Sequence, residues 1–529
     1  MTLIKTFEEK ISKWMNVRVP FELFDTVHKK RPFFLSIAYK ESERGLVNIL
    51  NGGVTSSRII PANGYLLFAM LGDSKRGNGY SFLGIDEVPS DPEELSVTMD
   101  SDFDIVLKEA MGKYVSIAKE RITEKNPEFY NLSSEPVVKH LENIENGPEM
   151  VLPSKIEIRK FERISKKFMD IPNVELSNIT IDSLIMKRNF VNSEGTQIKT
   201  RNLRGRTFWR ITIRNKDGAL RELGGSFPYA NSKGWTNTVS LESRIDAIGT
   251  HLEQLYEAPL LSAGEYPVVM HPSAFGTFMH EAIVGHLLSG RYISEKVANT
   301  FADKIGKRVM PPFLTVSVEP NLRGGYGSYK YDEEGVKSRD AVLVEDGVLK
   351  TYLLDRMSSH HLGLENNGHS RAEWVVEPMY EDVTRSLLPE PRVSNIRVKA
   401  KTDKTEKDLI KMMMNHCERK GFEFGLYIKS VSGNVTIKEG TFRMFPDEIW
   451  AIYPNGKRRL MAGAYIVAEP HTLLKEIKAC NKNYRKTYGH CGADSGWVKT
   501  QETNPSAYFP AVNFQKITEK QLTDKLITP

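Results

Sequence analysis

HPSAFGTFMHEAIVGHLL, residues 271–288, divides the chain. The mixed helix-and-strand character of everything before it gives way afterwards to a succession of strands. Pro272 and Ser273 have the arrangement of a helix start, and Phe275, Phe278, Met279 and Ala282 recur as an apolar stripe. His280 and Glu281 therefore sit on a helix. A second histidine, His286, follows six residues after the first. Two imidazoles, an adjacent carboxylate and an open position for water are most of what a zinc hydrolase needs. Yet an α-helix brings i and i+4 onto one face, and six steps of ~100° leave the second ring about 120° around the axis and ~9 Å along it. Two readings stay open on spacing alone. Either the histidines are unrelated, or Gly285 lets the helix end or bulge so that His286 swings back.

Upstream, "FDIVLKEAMGKYVSIAKERI" places Val106, Ala110, Tyr114, Ile117 and Ala118 at helical spacing, while "VELSNITIDSLIMKRNF" and "RTFWRITIRN" are rich in β-branched and aromatic residues. "ESRIDAIGTHLEQLYEAPL" is an amphipathic helix with Ile245, Ile248, Leu252 and Leu255 on one face, stopped by Pro259. A junction near residue 260 follows, giving an N-terminal α+β domain over 1–259 and a C-terminal β-rich domain over 260–529. Downstream, "AVLVEDGVLKTYLL" reads as a hairpin around Asp346-Gly347 and "EIWAIYPNGKRRLMAGAYIVA" as another around Asn455-Gly456. The expected fold class is α+β: a mixed N-terminal α/β domain, then a mainly antiparallel β domain carrying the His-Glu helix. "RGGYGS" and "SVSGN" read as loops, and the former lacks the lysine-serine/threonine ending of a phosphate loop.

Composition narrows the classes. A chain of 529 residues, 40% hydrophobic and 26% charged, can bury a sizeable core. Its net charge of +6 is spread without a basic run, which leaves no nucleic-acid partner to expect. The longest apolar run, Tyr65 to Leu71, is far short of the ~20 residues a membrane span needs. The first twenty residues carry no secretory pattern. A cytoplasmic protein without a membrane partner is the expectation. Three cysteines are too few for a disulfide framework in a chain this long. Cys417 and Cys480 lie on helix-like stretches. Cys491, in "YGHCGADSG", stands between glycines in what reads as a tight polar turn, where a thiol is able to meet an ion. His490 beside it reads as a loop histidine.

The segments "HEAIVGH", "YKYDEEGVKSRDAVLVEDGVLKTYLLDR", "NNGHSRAEWVVEPMYEDVTRSLLPE", "GLYIKSVSGNVTIKEGTFRMFPDEIWAIYPNGK", "MAGAYIVAEP" and "GHCGADSG" stand in the order found in the TldD/PmbA family of metallopeptidases. The resemblance covers about residues 150 to 515 and is to the TldD-type subunit, which carries the His-Glu helix that the PmbA-type (TldE) partner lacks. It implies that His280, His286 and Cys491 bind Zn2+ and that Glu281 is the general base of a peptidase. It also implies extended or unfolded peptides as substrates, and a homodimer or a heterodimer with a PmbA/TldE-type subunit. One departure stands out: the family has three residues between the glutamate and the second histidine, and here there are four, Ala282 to Gly285. A non-catalytic peptide-binding or regulatory subunit with a decayed metal site is the alternative that this spacing keeps open.

Overall fold

The computed structural model describes residues 3–517 except 24–25, 74–76, 90, 121–130, 145–146, 148, 217, 219, 232, 374–387 and 433–441. The N-terminal half is organised by four long strands, Pro32–Leu50, Gly53–Asp73, Val174–Asn192 and Gln197–Arg214. The first two form one antiparallel hairpin whose turn, Asn51-Gly52, has positive φ at both positions (49° and 80°), as a two-residue turn matched to strand twist requires. The first and third strands then pair over Ser36–Leu50 and Asn178–Asn192, making a seven-stranded sheet that is antiparallel except at the short strand Lys139–Leu141. Helix Pro92–Glu120 covers one face, where Met99, Phe103, Val106, Ala110 and Tyr114 meet Tyr65, Leu67, Ala69 and Leu71. Helices Lys155–Met169 and Ile245–Tyr256 bury Phe161, Phe168, Leu252 and Leu255 against Ile179, Ile181 and Trp209.

Among the described residues the C-terminal half holds a two-stranded sheet, Ser370–Arg371 with Glu390–Pro391, and two large ones. In one, strand Gly264–Met270 pairs in parallel with Gly425–Ser432 and antiparallel with Ala507–Lys516. Phe442–Ile452 and Ala464–Ala468 complete the circuit, so five strands close on themselves and that ring has no open edge. Period-2 alternation then divides the labour along Gly264–Met270. Val268 and Met270 join the core that contains Phe275 and Phe278, while Val269 faces Leu409 and Met413 of helix Glu406–Lys420. The second sheet has six strands and ends on the hairpin Arg485–Ala493 and Gly496–Asn504.

The fold class is therefore α+β with mostly antiparallel sheets, as expected. Asp346-Gly347 makes its hairpin with φ of 48° and 78°. The Asn455-Gly456 turn joins Phe442–Ile452 to Arg458–Met461. "RGGYGS" is a succession of turns; "SVSGN" begins as strand, and Gly433 and Asn434 lie outside the described residues. Two local expectations are corrected. Cys480 is in a short strand, Ala479–Cys480, rather than a helix. Cys491 lies within strand Arg485–Ala493, and the turn falls after it. The glycine that suggested a turn has another cause: a Cβ on Gly492 would stand 2.9 Å from the ring of Trp497, its cross-strand partner. Among the described residues, no helix is long and apolar enough to cross a membrane.

Candidate metal centre

Strand Gly264–Met270 runs straight into the histidine helix. His271 caps it, its Nδ1 accepting the N–H of Ser273 at 3.3 Å, and Pro272 takes the first helical position. After one and a half turns of α-helix, Pro272–Thr277, the backbone widens to π-helical hydrogen bonding over Phe278–Val284. Gly285 N–H donates to the His280 carbonyl at 2.9 Å and Leu288 N–H to that of Ile283 at 3.1 Å, both i to i+5. The segment carrying the extra residue is thus bulged, as the second reading of the spacing required. Gly285 itself has ordinary helical angles (φ −70°, ψ −27°), but a Cβ there would lie 3.0 Å from the His280 carbonyl oxygen. Phe278, Met279, Ala282, Ile283 and Val284 are fully buried, with the Phe278 ring 5.5 Å from that of Phe442, so the bulge is locked into the core.

His280 is 5% exposed and its ring is held from across the fold. Glu502 Oε1 is 2.7 Å from His280 Nδ1, and Thr487 donates to the other carboxylate oxygen at 3.1 Å. A carboxylate accepts only, so Nδ1 carries the hydrogen and Nε2 points away from Glu502. Nε2 is buried and makes no well-formed hydrogen bond. Its neighbour is the Cys491 thiol, also buried. Burial disfavours the imidazolium, but Cys491, Glu281 and Glu502 outweigh it and hold His280 well above its ordinary pKa. Burial pushes the Cys491 thiol up, while the Arg392 guanidinium and His280 pull it down further, leaving it below its usual range. Arg392 is buried, donates to the Cys491 carbonyl, and is fixed by Ser495 Oγ at 2.6 Å.

Glu281 is half-buried beside His280. Its carbonyl oxygen lies 2.5 Å from His286 Nδ1, which must therefore be the N–H nitrogen, leaving the lone pair on Nε2. Burial first, then the charges of His280 and Arg392, lower the His286 pKa and favour the neutral ring. The structure thus brings His280 and Cys491 together, with Glu281 adjacent and His286 within electrostatic reach. It does not gather a third ligand: among the described residues no three His, Cys, Asp or Glu side chains converge so as to hold a metal ion. His490 turns to the opposite side of its strand, where its Nε2 is 3.1 Å from the Tyr326 hydroxyl.

These donors suit a metal in type. A buried imidazole nitrogen that faces a thiol, backed at its other nitrogen by a carboxylate, matches the arrangement usual for a metal-ligating histidine. An imidazole and a thiolate together suit zinc. Glu502 and Arg392 were not foreseen from the sequence. Glu502 lies in "KTQETN", an alternating strand with nothing to mark one carboxylate, and its role depends on a pairing with a residue 222 positions away.

Residues 263–518 match the model of the PmbA/TldA metallopeptidase C-terminal domain. A metalloprotease of Methanocaldococcus jannaschii is 26% identical over 349 residues, covering 65% of this chain and 71% of that protein. A zinc metalloprotease TldD homolog of Saccharolobus solfataricus is 28% identical over 245 residues, 46% of this chain and 50% of its own. The crystal structure of TldE from Thermococcus kodakarensis superposes with a TM-score of 0.63 over 96% of this chain and 99% of that one. At 15% identity, that likeness is one of fold.

Proposed function

This chain belongs to the TldD/PmbA family, and from that premise we propose that it is a zinc-dependent metallopeptidase cleaving extended or unfolded peptides. The observation that supports the reading is the buried Nε2 of His280, set by Glu502 and facing the Cys491 thiol, whose pKa is lowered. His280 and Cys491 are the ligands in hand, and His286 is the third, its neutral Nε2 available once the ring turns from the Glu281 carbonyl. Zinc bound there supplies a Lewis acid and brings the pKa of water near 7. The rest falls to the chain. Glu281 takes the proton from water and passes it to the leaving amine. Arg392 keeps the Cys491 thiolate stable in a buried site and holds its backbone in place.

Strand Arg485–Ala493, which bears Cys491, is the terminal strand of its described sheet. A peptide adding to that edge would pair through its backbone, which suits extended chains and excludes folded ones. The three free, buried cysteines fit a reducing, cytoplasmic setting, and pairing with a second copy or a PmbA/TldE-type subunit is part of the proposal. The absence of a converged third ligand among the described residues favours a second reading, a non-catalytic peptide-binding subunit. Cleavage of an unfolded polypeptide by the zinc-loaded protein, lost in Glu281→Gln, supports the first. Binding of that polypeptide without cleavage at any zinc concentration supports the second.

A further inference from the structure

Where the N-terminal sheet meets the C-terminal half there is a cavity of about 140 Å³. That is an order of magnitude above the ~10–15 Å³ that one water requires. Its rim includes Thr200 and Asn202, half-buried and exposed, so the space reaches solvent. Its walls carry more cationic donors than the carboxylates present take up. Glu333 is shared between Lys40 Nζ at 3.0 Å and Arg188 Nε at 3.4 Å. Glu373 pairs with Lys499 at 3.4 Å. Asp332 is wrapped by the backbone N–H groups of Val336, Glu334 and Ser370, and burial pushes its carboxyl up to about 7. Glu142 faces His140 and the Arg201 N–H instead.

Three guanidinium groups remain underused. Arg188 is 6% exposed, and its Nε and Nη2 make no hydrogen bond to the described residues. Among the described residues, Arg204 donates only to the carbonyls of Leu203 and Ser328, at 2.9 and 3.3 Å. Arg371 stacks 4.9 Å over Tyr329 and gives Nη1 to the carbonyls of Val393 and Lys499. Among the described residues, none of Arg188, Arg204 or Arg371 has a carboxylate held in a two-bond fork, although the cavity they line has room for one.

We propose that this cavity binds a small oxyanion, phosphate or a carboxylate, gripped by Arg188, Arg204 and Arg371. The site is separate from the metal centre, because His490 and Lys499 face this seam while Cys491, the next residue along, faces the opposite core. Its occupant ties the N-terminal strands Val174–Asn192 and Gln197–Arg214 to the hairpin that carries Cys491.

The test uses the full chain stripped of metal, with calorimetry and thermal melts in sodium phosphate, in malonate, and with a short peptide whose C-terminus is free or amidated. Sodium chloride at matched ionic strength is the reference. Saturable binding of at least one probe, with a rise in Tm beyond chloride, is expected. Phosphate alone would identify a free anion, and the free but not the amidated peptide would identify a chain terminus. Arg204→Gln, at a half-buried position bonded only to carbonyls, should weaken binding at least tenfold with an unchanged circular dichroism spectrum. If that variant melts early, Arg188→Lys, which keeps a cation beside Glu333 but removes the planar fork, should show the same loss. The proposal is overturned if no probe exceeds chloride, or if both variants bind as the parent does.

Discussion

Glu502 and His280 are 222 residues apart in sequence and 2.7 Å apart in the fold, and this contact decides which way the imidazole faces. With Nδ1 engaged, Nε2 has only one direction to point, and that direction contains Cys491. Glu502→Ala should therefore weaken zinc binding roughly 10- to 100-fold without touching a ligand, as loss of an outer-shell partner usually does. Glu502→Gln, which keeps an acceptor oxygen, should lose less. A competition titration against a chromophoric chelator measures both, and equal affinity in Glu502→Ala and parent would show that the contact does not orient the ring for metal.

In the proposed mechanism Glu281 transfers the proton and takes no share in metal binding. Glu281→Gln should retain zinc at the parent affinity while peptide cleavage falls about 10²- to 10⁴-fold. Parallel metal analysis and a peptide digestion assay distinguish this from simple loss of the ion. Cleavage at the parent rate removes Glu281 from the role.

Gly285 is the hinge of the π-helical bulge. An added Cβ would press on the carbonyl that accepts the Gly285 N–H, 3.0 Å away, so Gly285→Ala should disturb that i to i+5 bond and the placement of His286. If His286 is the third ligand, Gly285→Ala and His286→Ala should weaken zinc by similar factors, each corresponding to several kcal/mol. Tight zinc insensitive to both, but abolished by His280→Ala and Cys491→Ala, would replace His286 by another donor.

Burial of His369 pushes its pKa down to about 3. In the unfolded chain a histidine titrates near 6.5, so below that pH the unfolded state takes up a proton that the folded state refuses. The stability this neutral ring preserves is complete above pH ~6.5 and is lost progressively as pH falls towards the folded value. His369→Gln should accordingly show a shallower loss of Tm between pH 7 and 4 than the parent. Parallel acid limbs would mean that His369 is not neutral in the fold.

Turn chemistry made the two C-terminal hairpins readable, since Asp346 and Gly347 both take positive φ in one turn and Gly456 does so in the other. Helical periodicity did the same for the helix containing Val106, Ala110 and Tyr114. The resemblance singled out His280, Glu281 and Cys491, which the fold sets beside one another, whereas spacing alone left the two histidines undecided. What escaped was whatever depends on tertiary pairing: Glu502 is one acid in an alternating strand until the fold sets it against His280. Cys491 looked like part of a turn because Gly492 is small, and only the cross-strand approach of Trp497 shows why it must be. The π-helical bulge lies between these cases, since six-residue spacing signalled a departure from α-helix while core packing determined its form.

Whether His280 and Cys491 hold a catalytic zinc ion is read from the zinc stoichiometry of the reconstituted protein, measured beside its cleavage of an unfolded polypeptide. About one zinc per chain is expected. Chelation should remove cleavage and added zinc restore it, and both His280→Ala and Cys491→Ala should lose the ion. A chain that takes up no zinc under saturating conditions, or whose cleavage is indifferent to chelator, would contradict it.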